Sequence, residues 1–168
     1  MAHPDIFTGM VAQFDTCAYN IGCIIASTND GTIRMDRNFL RWGEKEEQEF
    51  LEHVLGGYPI PLIVIHGSVT NGGECVDGKN CLDTIHKFVR GELLYKTNDG
   101  VELDFTKQDK VNQERFLNKV MIPVMCLHGP EWTDDRVRMY SRILYKTKDY
   151  DSDSDSDFDS DSDSDDEE

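Results

Sequence analysis

From Glu44 onward the apolar positions recur with a helical period. Phe50, Leu51, Val54 and Leu55 fall at i, i+1, i+4 and i+5, and glutamates occupy the other face and the first turn. Gly56-Gly57 ends that helix, and 58-YPIP-61 prevents its resumption because each proline pushes its predecessor towards extended geometry. The continuous, branched run 62-LIVI-65 predicts a buried strand. The segment 67-GSVTNGGE-74 reads as a hairpin tip or flexible loop, and 75-CV-76 closes a second strand. A helix follows from about Asn80, with Leu82, Ile85, Phe88 and Val89 on one face and Gly91 just past its end. Two alternating runs joined by Asn98-Asp99-Gly100 predict a hairpin over 92–105. Residues 107–119 read as a helix with one polar side. The run 120-VMIPVMCL-127 reads as a strand that Pro123 places at an edge or bulge. A last helix starts at a Thr133 cap and carries Val137, Tyr140, Ile143 and Leu144 at helical spacing. Ahead of Glu44 the pattern is weaker: 24-IIAS-27 reads as a short strand and 28-TNDGT-32 as a turn. Strands and helices in this order predict a small α+β domain with a mixed sheet flanked by helices.

Composition changes the picture mainly at the carboxyl end. Residues 149–168, DYDSDSDSDFDSDSDSDDEE, hold twelve of the 33 acidic residues and none of the 17 basic ones. With no apolar pattern to offset ordering entropy, this stretch is expected to be disordered. The remaining 148 residues carry a net charge of only −4, against −16 for the whole chain. The expected organisation is an amino-terminal extension over 1–27, partly strand, a domain over 28–148, and the acidic tail. No run approaches the ~18 apolar residues of a membrane helix, and MAHPDIFTGMVAQFD lacks the basic start and apolar core of a secretory signal. Five cysteines, an odd number, point to free thiols in a reducing compartment, cytoplasmic or nuclear. Cys17 and Cys23 share a gap with Cys75 and Cys81. Structural zinc sites use shorter gaps of roughly two to four residues, which favours buried or half-buried thiols over zinc.

Three places can carry chemistry. At the junction of strand and helix, Asp77-Gly78-Lys79-Asn80 offers helix-start N–H groups to a phosphate, a glycine free to adopt positive φ, and a mobile cation. The plainer reading is an Asp-Gly turn that only reverses the chain, and a lone Asp does not make a magnesium site. The stretch 36-DRNFLRW-42 interleaves two arginines, suited to bidentate phosphate bonds, with two aromatics suited to stacking on bases. Alternatively Phe39 and Trp42 anchor the core while Arg37 pairs with a carboxylate. Finally, His66, His86 and His128 each follow or sit within an element near cysteines or carboxylates, but none stands at a spacing that certifies a nucleophile and base. His86 either flanks the buried stripe of its helix or turns out to solvent. No Walker, HNH or HExxH motif is present.

Taken together, 36-DRNFLRW-42, 58-YPIPLIVI-65 and 76-VDGKNCLDTIHKFVRGE-92 resemble the N-terminal domain family of GmrSD-type modification-dependent restriction endonucleases, whose fold is similar to ParB and sulfiredoxin. Later, 122-IPVMCL-127 and 139-MYSRIL-144 correspond, so the resemblance covers about residues 28–146. It implies a fold that binds a nucleoside triphosphate, with magnesium where it is hydrolysed, and that in some members licenses a separate nuclease domain. The family pattern reads Gln-Arg with an aromatic and Trp, then Asp-Gly-Gln-Gln-Arg-Leu-Thr. Carried over by position, Arg37, Trp42, Asp77, Gly78 and Arg142 match. Asp36 replaces the first glutamine, Lys79 and Asn80 replace the loop glutamines, Cys81 replaces the loop arginine, and Leu144 stands where an asparagine is usual. The implied phosphate-facing residues are Arg37, Asp77, Gly78, Lys79 and Asn80. Loss of a preorganised charge-stabilising group commonly costs ~10²–10³ in rate, and Lys79 is a point charge rather than a fork. The expectation is therefore a degenerate, stand-alone nucleotide-binding module without the nuclease domain.

The tail adds a second theme. Its alternating Asp and Ser suit acid-directed kinases of eukaryotic cells, and each phosphate would add about −1.5 to −2 charges. Such a polyanion repels DNA and attracts basic proteins, unless it serves only as a solubilising bristle. A prokaryotic-type defence fold with this tail points to a large DNA virus of eukaryotes, with a role in viral DNA metabolism or packaging. The rival expectation is a residual nucleoside triphosphatase using Asp77, Lys79 and Arg37 to license a nuclease on another chain. Direct DNA binding is disfavoured by the acidic body.

Overall fold

A computed structural model of the chain describes residues 14–36, 39–130 and 132–140. Arg37, Arg142 and the acidic tail, together with the expectations placed on them, lie outside the described residues. The described elements, in order, are β1 (Phe14–Asn20), α1 (Ile21–Asn29), β2 (Ile33–Arg34), α2 (Glu44–Leu55), β3 (Ile63–Ser68), β4 (Gly72–Asp77) and α3 (Lys79–Val89). They continue with β5 (Tyr95–Lys96), β6 (Glu102–Leu103), a 3₁₀ turn (Phe105–Lys107), α4 (Lys110–Lys119) and β7 (Met121–Leu127). Residues 134–140 are helical. The class is α+β.

Five strands form one mixed sheet in the order β1-β7-β3-β4-β2. β1 and β7 are antiparallel, β7 and β3 parallel, β3 and β4 antiparallel, and β4 and β2 parallel. β5 and β6 form a separate short hairpin around the expected Asn98–Gly100 turn. Alternation along the central strands divides their side chains between two clusters. Ile63, Ile65, Ile122 and Val124 join the main core with Leu51, Val54, Leu82, Ile85 and Phe88 from the helices. Val64, Val76 and Leu127 form a second cluster, against which Met125, Trp132, Val137 and Tyr140 pack. In the main core, Phe88, Phe105 and Phe116 meet with ring centroids 5.4–5.6 Å apart. Such separations suit tilted and edge-on aromatic pairs.

Two local expectations are corrected. Residues 24–27 are not a strand but lie inside α1. Asn20 caps that helix, its side-chain oxygen accepting the Cys23 N–H at 2.7 Å, and Ile21, Ile24 and Ser27 are buried at helical spacing. A cap plus an i, i+3, i+6 stripe outweighs the β-propensity of two isoleucines. Nor does Pro123 mark a sheet edge, since β7 lies between β1 and β3. The proline is tolerated because β3 begins pairing only at Val124, so β1 alone flanks the strand there. β1 and most of α1 fall within the first 27 residues, yet β1 pairs with β7 in the five-stranded sheet and α1 contributes Ile21 and Ile24 to the main core.

Candidate functional site

β4 delivers Asp77 to the sheet end, and the chain turns into α3 through Gly78 at φ 89°, ψ 12°. Asp77 stands opposite Val64, just before a register shift in the β3–β4 pairing. Gly78 is required for two reasons. Its positive φ disfavours any L side chain, and an added Cβ would lie 2.8 Å from Cγ1 of Ile63, a fully buried residue of β3. The glycine's close approach is therefore to a neighbouring strand. Lys79 opens α3 near the Cys75 thiol. Burial pushes that thiol up to about 12, with Lys79 pulling the other way. Cys75 also donates to the Asp77 carbonyl at 3.2 Å, so it is an inert structural thiol.

Asn80 does something else. Its Oδ1 accepts the Trp42 N–H at 3.0 Å, and its Nδ2 donates to the Leu40 carbonyl at 3.0 Å. Both halves of the amide are used to hold the arginine–aromatic stretch against the first turn of α3. Trp42, now fixed, tilts against Phe50 at 5.4 Å and joins the core, while Arg41 lies 5.8 Å over the Phe39 ring. The structure thus brings together the 39–42 segment and Asn80, two of the three regions singled out in the sequence.

Beside this clamp lies a cleft of about 350 Å³. One wall is the polar face of α3, where Asp83, His86 and Arg90 follow at i, i+3 and i+7. Facing it are Thr28 and Asn29 at the end of α1. Ile33, Met35 and Phe39 add an apolar side, with Arg41 at the rim. Asp77, Gly78 and Lys79 are not among its described lining residues. Arg90 is oriented by donating Nη2–H to Asn29 Oδ1 at 3.1 Å. Asp83 is turned to Lys87 at 3.0 Å, and Lys87 also bridges to Glu47 of α2 at 2.5 Å.

His86 is 8% exposed and sits 2.5 Å from the Thr28 hydroxyl through Nε2. That hydroxyl also lies 3.0 Å from the carbonyls of Ile24 and Ile25, where an oxygen lone pair would be repelled. Its proton therefore points to the carbonyls, and His86 donates from Nε2–H. Nδ1 is left as an acceptor. Burial and then the nearby Arg90 lower the pKa of His86 from the ordinary 6.5, which keeps the ring neutral at pH 7.

The other candidates separate. His66 on β3 lies opposite Glu74 and lines a shallow depression with Arg34 and Thr70. His128 pairs with Asp15 at 3.2 Å across the β1–β7 end. Cys17 is exposed, Cys23 intermediate, and Cys75, Cys81 and Cys126 buried. Among the described residues no three His, Cys, Asp or Glu side chains converge as a metal site, and no helix is long and apolar enough to cross a membrane. Sequence reasoning did not single out Arg90, Thr28 or Asn29. The usable signal was the Asp83-His86-Arg90 spacing, which opposes the Leu82-Ile85-Phe88 stripe.

No protein-family model, no curated protein and no solved structure matches this chain.

Proposed function

We propose that the chain is a nucleotide-binding module with a ParB/sulfiredoxin-like fold, working by binding and regulation, with the acidic tail engaging basic partners. The supporting observation is the clamp of Asn80 on Leu40 and Trp42. It places Arg41 and Phe39 beside Arg90 and neutral His86. Two guanidiniums supply anion recognition, an aromatic face accepts a base, and a neutral imidazole accepts a hydroxyl proton.

The decisive experiment is calorimetric titration of the full chain with ATP, GTP and CTP and their monophosphates, repeated with Asn80→Ala. Saturable binding that weakens in the variant supports the reading. Absence of binding by every nucleotide refutes it. A second reading, residual hydrolysis, draws on the acceptor nitrogen of His86, which can orient a water. It predicts phosphate release with magnesium that falls sharply in His86→Ala, and background release from the wild-type chain rejects it.

A further inference from the structure

We infer that the cleft takes a nucleoside monophosphate, a phosphomonoester on a sugar that carries a flat base, rather than a metal-bound triphosphate, with its phosphate held between Arg41 and Arg90. The inference rests on the nucleotide-binding reading and specifies its ligand. Charge matching comes first. Of the described lining residues, Arg41 and Arg90 are the permanent cations. The acidic Asp83 is compensated by Lys87 at 3.0 Å. A phosphomonoester carries about −1.5 to −2 charges at neutral pH, which two guanidiniums balance. A metal-free triphosphate would carry roughly twice that charge, and the magnesium that would offset it normally draws on carboxylates. Among the described lining residues the one carboxylate, Asp83, is committed to a lysine.

Orientation is the second argument. Arg90 spends one of its five donors on Asn29, which fixes the fork and leaves the others for phosphate oxygens. Arg41 is stationed by the Phe39 ring beneath it. Phe39, Ile33 and Met35 supply the apolar side on which a base can lie. His86, which lines the cleft and donates to Thr28, keeps one acceptor nitrogen, the group a ribose hydroxyl needs. Size is the third. At about 350 Å³ the cleft stands near the lower end of the ~300–1,000 Å³ typical of small-molecule sites.

The test titrates the full chain with AMP, GMP, CMP and UMP, the four triphosphates with and without magnesium, and the unphosphorylated nucleosides. Arg41→Ala, Arg90→Ala, Arg90→Lys and Lys79→Ala are measured beside the wild type, with circular dichroism confirming that each folds. The expected result is tighter binding of at least one monophosphate than of its triphosphate. Its affinity should fall at least tenfold in Arg41→Ala, in Arg90→Ala and for the nucleoside, with partial recovery in Arg90→Lys. Tighter binding of a magnesium triphosphate overturns the inference but leaves nucleotide binding intact. So does monophosphate binding that ignores both arginines and depends on Lys79. If no nucleotide binds, both the inference and the reading beneath it fall.

Discussion

Replacing Gly78 by alanine separates two explanations of the Asp-Gly turn. If the glycine exists to let a phosphate approach, alanine should spoil binding and spare stability. The geometry says the reverse. At φ 89° an L side chain costs ~1–2 kcal/mol. The new methyl would also stand 2.8 Å from Ile63 Cγ1 and 3.2 Å from its Cβ and Cγ2. Ile63 has no exposure and pairs with Val124 in the sheet interior, so relief requires β3 or α3 to move, an overpacking cost of ~1–3 kcal/mol. Against this, alanine restricts the unfolded chain by ~0.4–1 kcal/mol. The net expectation is a loss of about 3 kcal/mol, a large part of the ~5–15 kcal/mol typical of a domain. Gly31→Ala is the control, because φ there is +80° yet nothing lies within 4 Å of the added carbon. It should cost only about 1 kcal/mol. Urea denaturation of both variants, with unchanged m-values, gives the difference directly. Equal losses within ~0.5 kcal/mol, or a lost ligand with unaltered stability in Gly78→Ala, would refute the packing argument.

Asn80→Ala removes both bonds to the 39–42 segment and should cost roughly 1–3 kcal/mol in urea denaturation. Lys87→Met strands Glu47, whose side chain is only 10% exposed. Since Lys87 itself is a quarter exposed, the ~3–5 kcal/mol of a fully buried pair is discounted to about 2 kcal/mol. Bonding to Glu47 raises the Lys87 pKa above 10.5, so that stabilisation is complete below pH 10.5 and lost as pH rises through the folded value. Wild type should therefore weaken more steeply than Lys87→Met in alkaline denaturation series. His86 runs the other way: with its folded pKa below 6.5, its contribution is present above pH 6.5 and lost as pH falls through the folded value. The acid-side slope should flatten in His86→Gln, and an unchanged slope would count against the buried neutral imidazole.

Elements with a clean period were legible in the sequence, and those whose cause lies elsewhere in the chain were not. α2 and α3 carry apolar stripes that a reader can place on one face, and they form where expected. β1 could not be read because five of its seven residues are exposed and no alternation marks FDTCAYN as a strand. Its partner β7 decides it. β2 is two residues held against β4. The helix over 21–29 was hidden by its isoleucines, although Asn20 was a readable cap. For the site, the sequence drew attention to 36–42 and 77–80; the structure joins 39–42 to Asn80, whereas Asp77, Gly78 and Lys79 are not among the described residues lining the cleft, because the roles depend on distance in the fold. Asn80 bonds to residues about forty positions earlier. Arg90 gains its meaning only when the end of α1 is set beside α3.

The cysteine at position 81 sharpens this last point. The resemblance places a loop arginine there, and its loss suggested a pocket stripped of a guanidinium. In this fold Cys81 is 4% exposed and belongs to the main core. Arginine at that position would have to bury its charge among Ile and Leu side chains or force the first turn of α3 away from the sheet. An unpaired buried ion retains a penalty of several kcal/mol even after relaxation, enough to consume much of a domain's stability. A long side chain can escape only by running its stem outwards, and the adjoining residue, Asn80, is itself fixed by its bonds to Trp42 and Leu40. Cys81→Arg should therefore lower the urea midpoint sharply and create no triphosphatase activity. If instead Cys81→Arg folds with wild-type stability and releases phosphate from a triphosphate, the first turn of α3 faces a ligand after all. The cleft bounded by Arg41 and Arg90 would then be secondary to it.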